Sequence, residues 1–204
     1  MIKSLLIAVL VALAAVISGG CGGGGASLSD GQIARDALIS KEDLPAYSGD
    51  ENGLPAEPCG PELLFEDAGG RVAGTRLLAF GDERVEEAVG VFADASAADA
   101  AYEELTATNH FKCIRTSIAE FNAGESGVEI LPARALGLGD RDGMVRFLVL
   151  ENGARVQSYA DLEAIQSGRC VASVILLSEQ PTPTDTVIEE MGAVAAEPLE
   201  DNCG

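Results

Sequence analysis

Alternating hydrophobic and polar positions mark two stretches of the chain that predict β-hairpins. In the first stretch, two alternating runs cover residues 72–81 and 85–94, with a short polar turn between them. In the second stretch, residues 145–165 alternate on both sides of Asn152-Gly153. Asn-Gly favours a two-residue hairpin turn because both residues tolerate a positive φ. The chain is therefore expected to form one hairpin in each half.

One further run, CVASVILLSE over residues 170–179, is continuously apolar, which is typical of a strand buried on both faces or central in its sheet. Helical periodicity and capping residues predict three helices. They cover residues 29–45 with Ser29 or Asp30 as the cap, residues 96–111 with Ser96 as the cap, and residues 182–197 with Thr182 or Thr184 as the cap. Residues 46–61 are rich in Gly, Pro and Asp and predict a loop.

The order of strand, turn and helix occurs twice in the chain. Residues 85–105 and 171–191 show similar apolar and acidic positions at an offset of 86 residues, which is 171 minus 85. This similarity indicates either a duplicated strand–helix unit or convergence on a common local pattern. The sequence leaves both interpretations open.

The amino terminus has the layout of a secretory signal. A charged start with Lys3 is followed by an apolar run over residues 5–17 and then by small residues. As a helix the apolar run would span about 20 Å, which is less than the roughly 30 Å hydrocarbon core of a bilayer. A permanent membrane span is therefore the weaker interpretation.

The next four residues, SGGC at 18–21, resemble the bacterial lipobox, in which a peptidase cuts before a lipidated cysteine. Cys21 would then begin the mature chain and carry the lipid, although Ser18 stands where a lipobox usually has Leu, Val or Ile. We expect a signal peptide over residues 1–20, a lipidated and Gly-rich tether over 21–30, and one domain over 31–204, on the outer face of the cell membrane. Plain secretion and a retained anchor are the alternatives.

The strongly acidic charge excludes one class of partner. The chain has 33 acidic residues against 13 Lys and Arg, a formal net charge of −20, and loss of Lys3 with the signal would make this −21 (12 minus 33). Such a surface repels nucleic acid and anionic lipid headgroups, so we expect no nucleic-acid partner. We interpret the acids as a solvated coat; a cation-attracting surface is the alternative.

Besides Cys21 the chain has four cysteines, and an even number in an exported chain predicts two disulfides. No pair has CxxC or Cys/His spacing, so we expect no metal site. Three pairings can be written. We favour Cys59–Cys113 with Cys170–Cys203, because each bridge would join the end of a helix to its own part of the sheet.

The sequence contains no recognisable catalytic constellation. His110 is the only histidine, and no serine or cysteine is placed to form a triad with it. Adjacent acids such as Glu103-Glu104 point apart on a helix. GDRDG at residues 139–143 lacks the later ligands of a calcium loop and is interpreted as a turn. We therefore expect a protein without catalytic residues, cofactor or metal.

The order of these features resembles the PknH-like extracellular sensor domain of actinobacteria, over about residues 30–203. The resemblance rests on ALISKEDLP, a Pro/Gly-rich loop with one cysteine, NHFKC at a helix end, LGDRDG, the Asn-Gly hairpin and a terminal helix. The family often has a tryptophan shortly before the helix-terminal cysteine, where this chain has His110-Phe111. The resemblance implies an α+β fold with helices packed on an antiparallel sheet, two disulfides and a cleft for an unknown ligand.

We therefore expect a membrane-tethered module that binds or senses a small molecule, a lipid or a cell-wall fragment. Arg146 is the candidate ligand-binding residue, because it alternates with Val145 and Phe147 on a strand and is a basic group in an acidic protein. An ion pair with one of the many acids is the alternative for Arg146. For the whole protein, the alternatives are a cell-wall-acting enzyme that uses carboxylates and a purely structural or interaction lipoprotein.

Overall fold

A single antiparallel sheet forms the centre of the fold. The computed structural model describes residues 28–50, 59–81, 83–121, 126–151, 155–179 and 185–204. Seven strands lie in these residues: β1 Ser48–Asp50, β2 Arg71–Phe80, β3 Glu83–Val91, β4 Ser126–Ile130, β5 Arg141–Glu151, β6 Arg155–Ser167 and β7 Cys170–Ser178. Their order is β1-β2-β3-β7-β6-β5-β4, and every neighbouring pair is antiparallel.

Helices cover both faces of this sheet. The described residues contain five: α1 Asp30–Asp36, α2 Pro61–Asp67, α3 Ala95–Leu105, α4 Thr108–Phe121 and α5 Asp185–Cys203. We call the face that packs against α1 and α5 face A, and the face that packs against α2, α3 and α4 face B. The expected α+β architecture is thus confirmed. None of the helices in these residues is long and apolar enough to cross a membrane.

The strands follow the alternation of the sequence closely. The first hairpin closes with Phe80 opposite Glu83. The second pairs β5 with β6 up to Glu151 opposite Arg155, and its Asn-Gly turn lies outside the described residues. β7 is central, between β3 and β6, and is buried on both faces, as its continuous apolar run predicts.

The helix predicted over residues 96–111 is two helices, and its predicted cap is wrong. Asp94 is the N-cap of α3, with its carboxylate accepting a hydrogen bond from the Ala97 N–H at 2.9 Å. The hydroxyl of Thr106 donates to the backbone carbonyl of Tyr102 at 2.8 Å, immediately after the last residue of α3. The chain then begins α4 at Thr108 and continues to Phe121.

Two elements lie where a loop was expected, and one helix is longer than expected. β1 falls within residues 46–61, and α2 begins at Pro61, whose fixed φ suits the first position of a helix. Residues 51–58 lie outside the described part of the chain. α5 passes through Pro198 and ends at Cys203, whereas the predicted helix ended at Glu197. The two candidate caps before α5, Thr182 and Thr184, also lie outside the described residues.

The two similar strand–helix units place their helices on opposite faces. α3 packs near Ala164 and Val171 on face B, whereas α5 packs near Ile165 and Ala172 on face A. Neighbouring residues of one strand point to opposite faces, so these contacts separate the two helices. The two units are therefore similar in the order of strand and helix along the chain, but their helices lie on different faces of the sheet.

Two disulfides join helices to the rest of the chain. Cys59–Cys113 links the residues before α2 to α4, and Cys170–Cys203 links the start of β7 to the last residue of α5. The structure therefore contains the two bridges in the pairing that we favour from the sequence. The second bridge holds the carboxyl end of α5 against face A.

Candidate functional site

β6 carries two acids into the core of face A. Because side chains alternate along a strand, Tyr159, Asp161, Glu163 and Ile165 point the same way. Tyr159 and Ile165 belong to the apolar core of that face, and Asp161 and Glu163 are fully buried beside them. An ionised carboxylate that is buried without a partner is costly. The groups around these two acids therefore determine whether each carboxyl group is charged or neutral.

Asp161 is paired with Arg146, which lies directly opposite on β5. The Nε and Nη2 groups of Arg146 donate to the two carboxylate oxygens of Asp161 at 2.6 and 2.7 Å, and the guanidinium lies over the Tyr159 ring, 5.3 Å from its centre. The hydrogen bonds to Asp161 raise the pKa of Arg146. Burial raises the pKa of Asp161, and Arg146 opposes that shift. The two-bond geometry is that of a buried ion pair.

The first residue of α5 closes the outer side of this pair. Arg146 Nη1 donates to Asp185 Oδ1 at 2.9 Å, and Arg134 Nη2 lies 3.2 Å from the same oxygen. Arg134 Nη1 lies 3.6 Å from Glu189, one turn further along the helix. We call Arg134, Arg146, Asp161, Asp185 and Glu189 the α5 charge cluster. The side chain of Asp185 is 56% exposed, so this cluster runs from the core to the solvent.

Glu163 lies beside the α5 charge cluster but has no ion-pair partner in the described residues. Met144 on β5 and Val174 on β7 flank it across the sheet, and Gly192 of α5 lies over its carboxyl group. Neither carboxyl oxygen has a hydrogen-bond partner in the part of the chain that the structure describes. Burial, reinforced by the charge of Asp142, raises the pKa of Glu163 to about 8. Glu163 is therefore mostly protonated at neutral pH.

A third acid on face A has a structural partner. Glu87 on β3 is buried on the far side of Val174, and its Oε2 accepts a hydrogen bond from the Ile39 N–H at 2.7 Å. Ile39 lies just beyond α1. Glu87 therefore fixes the end of that helix segment to the sheet.

His110 is the single histidine of the chain. It lies on α4, with its ring centre 6.4 Å from that of Phe111. Burial lowers the pKa of His110, and its Nε2 has no hydrogen-bond partner among the described residues. Those residues also contain no group of three or more His, Cys, Asp or Glu arranged to hold a metal ion.

The structure brings only some of the sequence-predicted residues to the site. Arg146 lies at the centre of the site and forms ion pairs with Asp161 and Asp185. Such an ion pair was the alternative to ligand binding that the sequence left open for Arg146. Cys21 lies outside the described residues. Glu103 lies on the surface, where it accepts a hydrogen bond from Arg141 at 2.5 Å. GDRDG contains the turn residues before β5 and the first residues of that strand.

Sequence reasoning missed Asp161, Glu163 and Asp185. A signal for the first two is present in SYADLEAI, where the acids occupy the same alternate positions as Tyr159 and Ile165. Acids at the positions of large apolar residues indicate charges that face a core. Asp185 carries no such signal, because an acid in the first turn of a helix is ordinary.

Comparison with known proteins identifies a similar fold. No family model matches the chain, and no curated protein matches it in sequence. The crystal structure of the extracellular domain of PknH from Mycobacterium tuberculosis is similar with a TM-score of 0.57 and 10% identity, covering 87% of this chain and 98% of that one. The solution structure of CyanoP, the PsbP of Synechocystis sp. PCC 6803, has a TM-score of 0.45 and 18% identity over 87% and 96% of the two chains. The first likeness shows a shared fold; the second is too remote to carry an argument.

Proposed function

We propose that this protein is an extracytoplasmic binding or sensing module that a lipid on Cys21 tethers to the outer face of the cell membrane. The observation that carries the proposal is the likeness to the extracellular domain of PknH, which extends over 98% of that domain. The two disulfides support an oxidising location, because reducing pools inside cells keep thiols free. The apolar run and SGGC at the amino terminus support the anchor.

We assign the protein no catalysis. A carboxylate enzyme needs a raised-pKa acid that a substrate can reach. Glu163 has the raised pKa, but it is fully buried against Gly192, and Asp161 is held by Arg146. This burial favours a binding module over a cell-wall-acting enzyme.

The ligand in this proposal is a small molecule, a lipid or a cell-wall fragment, and the acidic charge argues against nucleic acid. Arg146 has Nε and Nη2 on Asp161 and Nη1 on Asp185. A ligand that uses Arg146 must therefore replace Asp185, the exposed partner. In this proposal the ligand therefore enters at the amino end of α5.

The anchor is tested by changing Cys21→Ala in the whole chain expressed in its own cells. With a radiolabelled or alkyne-tagged fatty acid, we expect label on the parent and none on the variant, which should remain as uncleaved precursor. Ser18→Leu is the matched control, since it restores the usual lipobox residue and should be labelled at least as well as the parent. Equal processing and release of the parent and the Cys21→Ala chain would refute the lipoprotein assignment.

Binding is tested by native mass spectrometry of protein recovered from membranes, followed by thermal shift with the co-purified compound. We expect a retained compound that raises the Tm of the parent. Arg146→Ala should abolish this rise, whereas Arg141→Ala, which alters an exposed pair on another part of the surface, should leave it intact. A rise that survives Arg146→Ala removes Arg146 from the site. No retained compound and no Tm change with small molecules, lipids or cell-wall fragments would favour a structural role.

A further inference from the structure

α5 is attached to face A in different ways at its two ends. At its carboxyl end, Cys203 is covalently bonded to Cys170. At its amino end, Asp185 is held by Arg146 and Arg134, and its own side chain is 56% exposed. Exposed ion pairs contribute far less than a covalent bond. If α5 leaves the sheet, its amino end must therefore move first.

Between these two ends, the backbone of α5 rests on the carboxyl group of Glu163. The three heavy atoms nearest to a Cβ built on Gly192 all belong to that carboxyl group, at 2.2, 2.6 and 2.6 Å. Both carboxyl oxygens are buried without hydrogen-bond partners in the described residues. A neutral carboxyl group tolerates this position, whereas a carboxylate would lose its hydration and gain no bond.

The charged groups around Glu163 offer no free cation to a carboxylate. They are Asp161 on its own strand, Asp142 and Arg146 on β5, Arg134 before that strand, Asp185 and Glu189 on α5, and Glu87 on β3 beyond Val174. α1 and β7 contribute apolar side chains to this core. Arg146 is already bound by Asp161, and Arg134 lies between two acids of α5. A negative charge on Glu163 would therefore add to an excess of acids.

We propose that the amino-terminal half of α5, residues 185–192, is a lid that opens when Glu163 loses its proton. The ionised carboxylate becomes hydrated only if Gly192 moves away from it. The Cys170–Cys203 bridge keeps the other end of α5 on the sheet, so the movement is a swing of one end. Opening separates Asp185 from Arg146 and uncovers the site. The idea that the lid regulates ligand access rests on the proposed function. The opening of the lid is measurable without any ligand, so the lid and the proposed function can fail separately.

Hydrogen–deuterium exchange of the disulfide-intact whole chain, as its cells produce it, tests the lid. After correction for the intrinsic exchange rate, we expect the protection of residues 186–192 to fall at least ~10-fold between about pH 5.5 and 8. Above the ordinary carboxyl pKa, each further pH unit favours the open form over the closed form tenfold, until Glu163 also ionises in the closed form. Protection of β6 and of residues 196–203 should remain unchanged. Loss of protection along the whole of α5, or none anywhere, overturns the proposal.

Two variants and one direct titration separate the lid from general effects of pH. Glu163→Gln cannot ionise, so its protection of residues 186–192 should stay constant with pH. Glu104→Gln, an exposed acid on α3, should behave as the parent. If Glu163→Gln does not fold, the ¹³C shift of the Glu163 carboxyl in the unmodified protein still decides. The lid requires a midpoint well above the ordinary value near 4.5, and a midpoint near that value overturns it.

Discussion

Gly192 of α5 lies directly over the carboxyl group of Glu163, and a Cβ built on Gly192 would be 2.2 Å from its Oε2. A methyl group at position 192 therefore requires the Glu163 carboxyl group to move. We expect Gly192→Ala to lower the free energy of unfolding by about 1–3 kcal/mol, because overpacking a buried contact forces the neighbours apart. This loss should occur even though alanine favours a helix by about 1 kcal/mol over glycine. Urea denaturation of the oxidised protein measures it.

A smaller residue at position 163 tests whether the contact with Glu163 causes the loss of stability in Gly192→Ala, because it leaves space for the new methyl group. In a Glu163→Ala background, Gly192→Ala should no longer destabilise and should gain some of the helix preference of alanine. A non-additive cycle of this kind measures the coupling of the two positions. Equal losses in both backgrounds would mean that the methyl group meets something other than Glu163.

We expect Glu163 to make the stability of the protein depend on pH. The pKa of Glu163 is raised to about 8 in the folded protein from an ordinary value near 4.5, so the folded state holds one more proton than the unfolded state between these values. Its stabilising contribution is complete below about pH 4.5 and is lost as pH rises to about 8, by up to ~1.4 kcal/mol per unit. The difference between the parent and Glu163→Gln in urea denaturation should show this slope. The difference in unfolding free energy between the parent and Glu104→Gln should not change with pH. If the difference between the parent and Glu163→Gln also did not change with pH, this would contradict the raised pKa of Glu163.

The strands were predictable because alternation and turn residues are local properties. The pairing of Phe80 with Glu83 and the central place of β7 follow from such signals. The role of Asp161 and Glu163 was not predictable in the same way. Acids at alternate strand positions normally mark a solvated face, and only the large apolar residues Tyr159 and Ile165 at the same alternate positions indicate otherwise. The sequence does not show that α5 covers that face or that Arg146 pairs with Asp161.

The helix boundaries depended on contacts that composition does not show. The acceptor of the Ala97 N–H is Asp94 and not Ser96, although both residue types cap helices well. The predicted helix ended at Glu197, and the next residue is Pro198, which removes a hydrogen bond within a helix. α5 nevertheless continues to Cys203, where the disulfide and the burial of Leu199 hold the last turn. Tertiary contacts here outweigh local preference.

We expect Arg146→Ala to destabilise the protein by about 3–5 kcal/mol, because Asp161 is then buried without a partner and must either carry an unpaired charge or take up a proton. The double change Arg146→Met with Asp161→Leu should recover much of this loss, since apolar residues of similar size remove both charges. As a surface control, Arg141→Ala should cost no more than about 1 kcal/mol. Urea denaturation at pH 6 measures all of these. A loss for Arg146→Ala as small as that of the control would show that the pair is open to solvent.

The two disulfides should have separable effects on α5. Each closes a loop of tens of residues, with sequence separations of 54 and 33, and the chain-entropy relation assigns each about 4 kcal/mol. Non-reducing peptide mapping should recover Cys59 linked to Cys113 and Cys170 linked to Cys203.

Replacing both members of the second pair by alanine should increase hydrogen exchange in residues 196–203, because nothing covalent then holds the end of α5. Replacing both members of the first pair should lower global stability by a similar amount and leave the relative protection along α5 unchanged. A peptide that joins Cys59 to Cys203, or equal exchange along α5 in the two double variants, would show that the carboxyl end of α5 is not held in this way.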